Sequence, residues 1–152
     1  MKQKMAAVFL AILLLSGCST GTKKGGMASN AESSLIADFE RQAGDRVFFP
    51  FDSSALSQHS KDTLGKQGDW LKSHPHIKAT IEGHCDERGT REYNLALGER
   101  RAEVVKKFLA HHGIESSRLD TVSYGKERPA VIGNNEDAWK QNRRSVTLIT
   151  NY

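Results

Sequence analysis

The chain has 152 residues, 22 of them basic and 18 acidic, for a formal charge of +4. Two of the positive charges, Lys2 and Lys4, precede a cleavage signal, and without them 20 basic face 18 acidic residues, a charge of about +2. So small an excess excludes reading the basic character of the whole chain as evidence for a nucleic-acid partner. The two cysteines, with only Cys85 outside the N-terminal segment, exclude a disulfide framework.

The chain opens on a positive region at Lys2 and Lys4, followed by the uninterrupted apolar run Met5 to Leu15. About 11 apolar residues are too few to span a bilayer, which needs roughly 20, but suit the apolar part of a signal peptide. Leu15-Ser16-Gly17-Cys18 closes the run with small residues before a cysteine. This resembles the lipobox of bacterial lipoproteins and predicts a signal peptide over 1–17 and a lipidated Cys18. Three acyl chains on Cys18 bury far more methylenes than the single chain that binds membranes marginally, so attachment is expected to be permanent. Ser19, where an Asp would signal retention, implies by the same resemblance export to the outer membrane. Ser19 to Ser34 is rich in Gly, Ser, Thr, Lys and Ala without apolar periodicity, so 18–40 is expected to be lipidated cysteine plus flexible tether. One small domain is expected over 41–152.

Within that domain, Arg46 to Phe51 reads as a short aromatic strand ended by Pro50. Asp52-Ser53-Ser54 offers cap chemistry for a helix running to about Ser73, with Leu56, Leu64 and Leu71 on one stripe and His74-Pro75 as its stop. Ile77, Ala79 and Ile81 alternate with Lys78, Thr80 and Glu82, the pattern of a half-buried strand. A loop over Cys85 to Gly89 leads to the strongest helical signal. Thr90 is its N-cap, Glu92 suits the positive end of the dipole, and Gly113 is its stop. Its apolar face is Leu95, Gly98, Ala102, Val105 and Leu109, widened by Leu97, Val104 and Phe108. Leu119 to Tyr124 and Ser145 to Thr150 read as further strands, separated by a Gly/Pro-bearing loop and a short helix containing Trp139. The order β-α-β-α-β-β predicts an α/β domain, a single mixed sheet with helices on one face.

His84, Cys85 and Asp86 together raise the possibility of a thiol hydrolase or a metal site. Successive strand residues face opposite ways, so Cys85 is expected to point away from His84 and Asp86, out of reach of a base. The remaining histidines (His59, His74, His76, His111, His112) are too scattered to complete a zinc site. No enzyme, no metal and no cofactor other than the lipid on Cys18 is therefore expected, with Cys85 acting as a small buried apolar residue.

The stretch EGHCDERGT, followed by YNLALGERRAEVV, SYGKERPAV and NRRSV, closely resembles the peptidoglycan-associated lipoproteins of Gram-negative bacteria. More widely it is similar to the C-terminal domain of outer membrane protein A and to related flagellar-motor proteins. The resemblance implies that Asp86 of the GHxD motif and Arg101 of the LxxxRA motif bind diaminopimelate in the peptidoglycan stem peptide. The chemistry is apt, because the free end of diaminopimelate carries an ammonium and a carboxylate on one carbon. Such an end calls for a carboxylate beside a guanidinium able to grip in a two-pronged fork. The resemblance further implies contacts at Phe51, Asp52, Arg88, Thr90, Asn94 and Leu97; Asn142-Arg143-Arg144 also matches the family, and there Arg143 reads as a second clamp on the stem peptide and Arg144 as solvated. Arg91-Glu92 stands where relatives often carry a proline before the acidic residue, a departure that bears only on the detailed shape of the loop. The bland alternative is that Asp86 and Arg101 are an internal ion pair joining loop to helix. Under the ligand reading, Asp86→Ala or Arg101→Ala is expected to abolish binding while leaving the thermal midpoint near wild type. The same resemblance implies a role in the Tol system for envelope integrity and constriction at division, with its periplasmic propeller protein as a partner on an overlapping surface. In the alternative emphasis, the domain is chiefly a protein-interaction module.

Overall fold

The computed structural model describes residues 25–151; the expected signal peptide, Cys18 and the first part of the tether lie outside the described residues. The elements are α1 (Gly25–Ala43), β1 (Arg46–Phe48), α2 (Gln58–Ser73), β2 (Ile77–His84), α3 (Arg91–His111), β3 (Leu119–Gly125), α4 (Glu136–Asn142) and β4 (Arg144–Asn151). A single turn of 3-10 helix at Ser116–Arg118 precedes β3. The sheet order is β1-β4-β2-β3, with β2 and β3 parallel and the other pairs antiparallel. This is the expected mixed sheet of an α/β domain.

Alternation along the strands builds the core on one face. Ala79 opposes Ile149 and Ile81 opposes Thr147 across β2 and β4, and Val47, Ile77 and Leu119 extend the same apolar layer. Leu64 and Leu71 of α2 and Ala102, Val105 and Leu109 of α3 cover it. Two devices satisfy its polar margins. Gln67 donates to the carbonyl of Gly44 at 2.7 Å and accepts from Thr147 Oγ1 at 2.9 Å. Arg118 donates to the carbonyls of Leu71, His74 and Ile77, tying the end of α2 to the start of β2.

Thr90 caps α3 as expected, accepting from the Tyr93 amide at 3.2 Å. The chain leaves that helix through Gly113 at a φ of 103°, a conformation that favours glycine. The cap of α2, in contrast, is Ser57, not Asp52-Ser53-Ser54. Asp52 takes a left-handed φ of 51°, a conformation Asp tolerates. The strand stops at Phe48 and residues 49–57 form a loop.

The larger correction is at the N-terminal side. The segment expected as tether is helical from Gly25, and Phe39 within it is 1% exposed. Its ring meets Trp70 edge-on with centroids 5.0 Å apart, and Asp38 accepts from the Trp70 indole at 3.0 Å. Leu35, Phe39 and Ala43 recur every four residues, which puts them on one helical face against the domain. The packed domain therefore begins before residue 41.

Candidate functional site

β2 leaves the sheet at its C-terminal end, where the pairing with β3 shifts register between Gly83 and His84. α3 passes so close that a Cβ on Gly83 would lie 1.7 Å from the carbonyl oxygen of Gly98. The loop between β2 and α3 therefore sits directly over the first turns of α3. Lys126 holds it from outside, donating to the carbonyls of Glu87 at 3.2 Å and Gly89 at 2.7 Å. Asn94 holds it from below, donating to the carbonyls of Arg88 and Thr90 at 2.8 and 2.9 Å.

Under this loop lies a cavity of about 180 Å³ lined by Phe51, Asp52, Cys85, Asp86, Arg88, Gly89, Tyr93, Asn94, Leu97, Arg101 and Arg143. Eight of the residues expected at the site thus meet around one space. Thr90 does not line it and serves as the helix cap. Tyr93 and Gly89 were not expected there. Tyr93 donates its hydroxyl to Asp52 across the mouth, and this bond, first of all, raises the phenol's pKa. Trp139 of α4 joins the rim through Arg88, and nothing in its short helical segment marked it as part of the site.

Asp86 is 4% exposed. It accepts from Arg88 Nη2 at 2.6 Å, Arg88 Nε at 3.2 Å, the Arg88 amide at 3.1 Å and Arg143 Nη1 at 3.3 Å. Burial alone would raise its pKa, but the hydrogen bonds from Arg88 and Arg143 outweigh it and hold the carboxyl below its ordinary value. Arg143 also reaches the carbonyl of Phe49 at 3.0 Å and Glu136 at 2.5 Å.

Arg101 is fully buried, at 0% exposure. Its Nε, Nη1 and Nη2 donate to the carbonyls of Ser53, His84 and Pro50 at 2.9, 2.7 and 3.1 Å. Burial lowers its pKa, yet a guanidinium stays charged at any ordinary pH. Among the described residues no ion pair joins Asp86 to Arg101, so the internal-pair alternative is set aside. Three of its five N–H donors go to carbonyls, and the guanidinium also interacts with the Cys85 side chain beside it. The three carbonyl bonds also correct the expectation that Arg101→Ala would leave stability untouched. Arg144 is buried rather than solvated, donating to the carbonyls of Asn142 and Arg128 at 3.3 and 3.2 Å.

Cys85 lines the same cavity as Asp86, against the expected alternation, because the strand has already ended at His84. Its thiol is directed at the Asn94 carbonyl at 3.3 Å, and burial raises its pKa. His84 pairs with Glu82 at 3.1 Å, and burial, followed by the Arg144 charge, lowers its pKa. Burial thus favours the neutral thiol, and the hydrogen bond it makes is to the Asn94 carbonyl and not to the imidazole. Among the described residues there is no metal-binding cluster and no helix long and apolar enough to cross a membrane.

Residues 48–143, from the end of β1 to the end of α4, match the OmpA family. The chain belongs to the OmpA family. It is 51% identical over 112 residues to the peptidoglycan-associated lipoprotein of Brucella melitensis, covering 74% of this chain and 67% of that protein. With the peptidoglycan-associated lipoprotein of Agrobacterium fabrum it shares 44% over 145 residues, 90% and 82% of the two chains. The crystal structure of the peptidoglycan-associated lipoprotein from Burkholderia pseudomallei superposes with a TM-score of 0.68 at 42% identity, covering 70% of this chain and 90% of that one. The C-terminal domain of Helicobacter pylori MotB, at 20% identity and a TM-score of 0.64, shares the OmpA-like fold. The OmpA family is one of binding and structural domains, and this member of it is not an enzyme.

Proposed function

We propose that this OmpA-family domain binds peptidoglycan without covalent attachment, gripping the diaminopimelate of the stem peptide between Asp86 and Arg101. The observation that carries it is one cavity lined by a buried carboxylate and a buried guanidinium that are not paired with each other. Asp86 is compensated by Arg88 and Arg143 whereas Arg101 has only carbonyl acceptors, and a ligand end bearing both an ammonium and a carboxylate brings Arg101 the carboxylate it lacks. The names of the relatives, peptidoglycan-associated lipoproteins, point the same way. Lipid on Cys18 would hold the other end at the outer membrane, so that the protein ties membrane to wall within the Tol system and supports envelope integrity and invagination at division. One shallow pocket binds modestly, and many copies facing a polymer gain avidity from effective concentration. A second reading, a docking surface for the Tol propeller protein, draws on the exposed Phe51, Tyr93 and Leu95 at and beside the mouth.

The test is calorimetric titration of the lipid-free mature chain (Cys18→Ser) with a diaminopimelate stem peptide and its lysine counterpart. The proposal expects binding of the first only, and its loss in Asp86→Asn. If the wild type binds neither peptide, the protein-interaction reading takes over.

A further inference from the structure

The buried carboxylate that is to receive the ligand's ammonium already has a cation on it. Arg88 contacts Asp86 through Nη2, Nε and its own amide. Its guanidinium is also sandwiched between two aromatic faces, 3.9 Å from the Phe51 ring centroid and 4.0 Å from that of Trp139. The Arg88 side chain is 30% exposed whereas that of Asp86 is 4% exposed, so Arg88 is the layer between the carboxylate and solvent. A cation between two π faces and against a carboxylate is the arrangement by which proteins recognise ammonium ligands. Here the protein's own side chain fills it.

The surrounding frame stays put if that side chain leaves. The backbone of the loop is fixed by Lys126 and Asn94, and Trp139 is fixed by its indole bond to Glu87 at 3.0 Å. The charges also constrain what can enter. Three guanidinium groups (Arg88, Arg101, Arg143) and three carboxylates (Asp52, Asp86 and Glu136) meet across hydrogen-bonding distances or the shared cavity, and each carboxylate already has a donor: Tyr93 on Asp52, Arg88 and Arg143 on Asp86, Arg143 on Glu136. A ligand that brought only an ammonium would take Asp86 from Arg88 while Asp52 is held by Tyr93 and Glu136 by Arg143, and it would bring no carboxylate to Arg101.

We propose that Arg88 is a displaceable plug in an ammonium subsite built from Asp86, Phe51 and Trp139, and that it sets the specificity of the site. This rests on the stem-peptide reading above and deepens it. The entering ammonium replaces the guanidinium on Asp86 and between the rings, while the carboxylate on the same carbon engages Arg101 and meets the displaced Arg88. Lysine ends are excluded because they can neither hold the evicted arginine nor compensate Arg101. Diaminopimelate amidated at that carboxylate is excluded for the same reason.

The test titrates the lipid-free mature chain and its Arg88→Gln variant with three stem peptides, ending in diaminopimelate, amidated diaminopimelate and lysine. Trp139 fluorescence is followed alongside, with Trp139→Phe as the blank. Gln keeps the backbone bonds of residue 88, and a thermal midpoint near wild type checks that the loop survives. The expected result in Arg88→Gln is an affinity for the lysine and amidated peptides raised by about tenfold or more, with discrimination between the three reduced. In the wild type, binding of diaminopimelate is expected to change the Trp139 emission. Weaker diaminopimelate binding in Arg88→Gln with the other two still excluded would overturn the plug and make Arg88 a simple clamp. Unchanged affinities for all three would also overturn it. A wild type that binds none of them fails one step earlier, at the proposed function.

Discussion

Arg101 and Asp86 look like equivalent halves of a clamp in the sequence, and the structure makes them unequal. Asp86 is held by the side chains of Arg88 and Arg143 and by the Arg88 amide, whereas Arg101 is held by three backbone carbonyls from two separate segments, Pro50 and Ser53 on one and His84 on the other. Removing the guanidinium strands those acceptors in the interior at about 1–3 kcal/mol each. Arg101→Ala is therefore expected to cost about 3 kcal/mol or more, read as a lowered midpoint in urea. Arg101→Lys should recover only part of it, because one ammonium cannot reach three divergent carbonyls in a planar fork. Asp86→Asn, which keeps shape and acceptor, should cost less than Arg101→Ala. Equal midpoints for Arg101→Ala and wild type would show that the carbonyls find other partners. Eight of the cavity residues were legible through the family resemblance, Asp86 and Arg101 by their motifs, while Cys85, Gly89 and Tyr93 were not. The partners of Arg101 were not, since a backbone carbonyl leaves no mark in a sequence.

At the scale of elements, the site depends on how closely α3 crosses β2, and two glycines set that distance. A Cβ on Gly98 would lie 2.3 Å from Ser123 Oγ and 2.9 Å from the Gly83 carbonyl oxygen. The serine hydroxyl can rotate away, at the loss of its 2.7 Å bond to the Leu95 carbonyl, but the carbonyl cannot. A Cβ on Gly83 would meet only backbone, at 1.7 Å. Gly98→Ala is expected to destabilise by about 1–3 kcal/mol, the usual cost of overpacking, and Gly83→Ala by more. Because Gly83 lies two residues before the Cys85 to Gly89 loop, stem-peptide affinity should fall in Gly83→Ala even where the domain remains folded. Chemical denaturation and titration of both variants check this, and a Gly83→Ala protein as stable as wild type would refute the close-packing account. The strands, α3 and its caps were legible from periodicity and capping chemistry. Gly98 read merely as a member of the apolar stripe, since a close approach depends on a partner 15 positions away. The start of α2 was misread because Asp52-Ser53-Ser54 has cap chemistry, while the loop it sits in is fixed by Arg101 from elsewhere in the chain.

For the whole molecule, the open question at the sequence level was where anchor ends and domain begins, and α1 answers it. A Gly- and Ser-rich composition hid the four-residue spacing of Leu35, Phe39 and Ala43, and a stripe of three residues gives little periodicity to detect. Yet Phe39 is buried against Trp70, and Asp38 satisfies the only polar atom of that indole. Burying a phenylalanine this completely is worth about 3–5 kcal/mol against alanine, a sizeable share of the 5–15 kcal/mol that hold a domain together. A chain beginning at residue 41 is therefore expected to melt at least 10 °C below one beginning at residue 30, taking about 3 °C or more per kcal/mol for a domain of this size. Phe39→Ala in the longer chain should account for most of that difference. None of the cavity residues lies on α1, so below its midpoint the shortened chain should bind the stem peptide with unchanged affinity. Scanning calorimetry of the three proteins decides the matter. Coincident midpoints would make α1 a loose appendage and return its length to the tether. The expected drop would mean that the last turns of α1 move with the domain, so that less of the segment expected as a tether is free to extend.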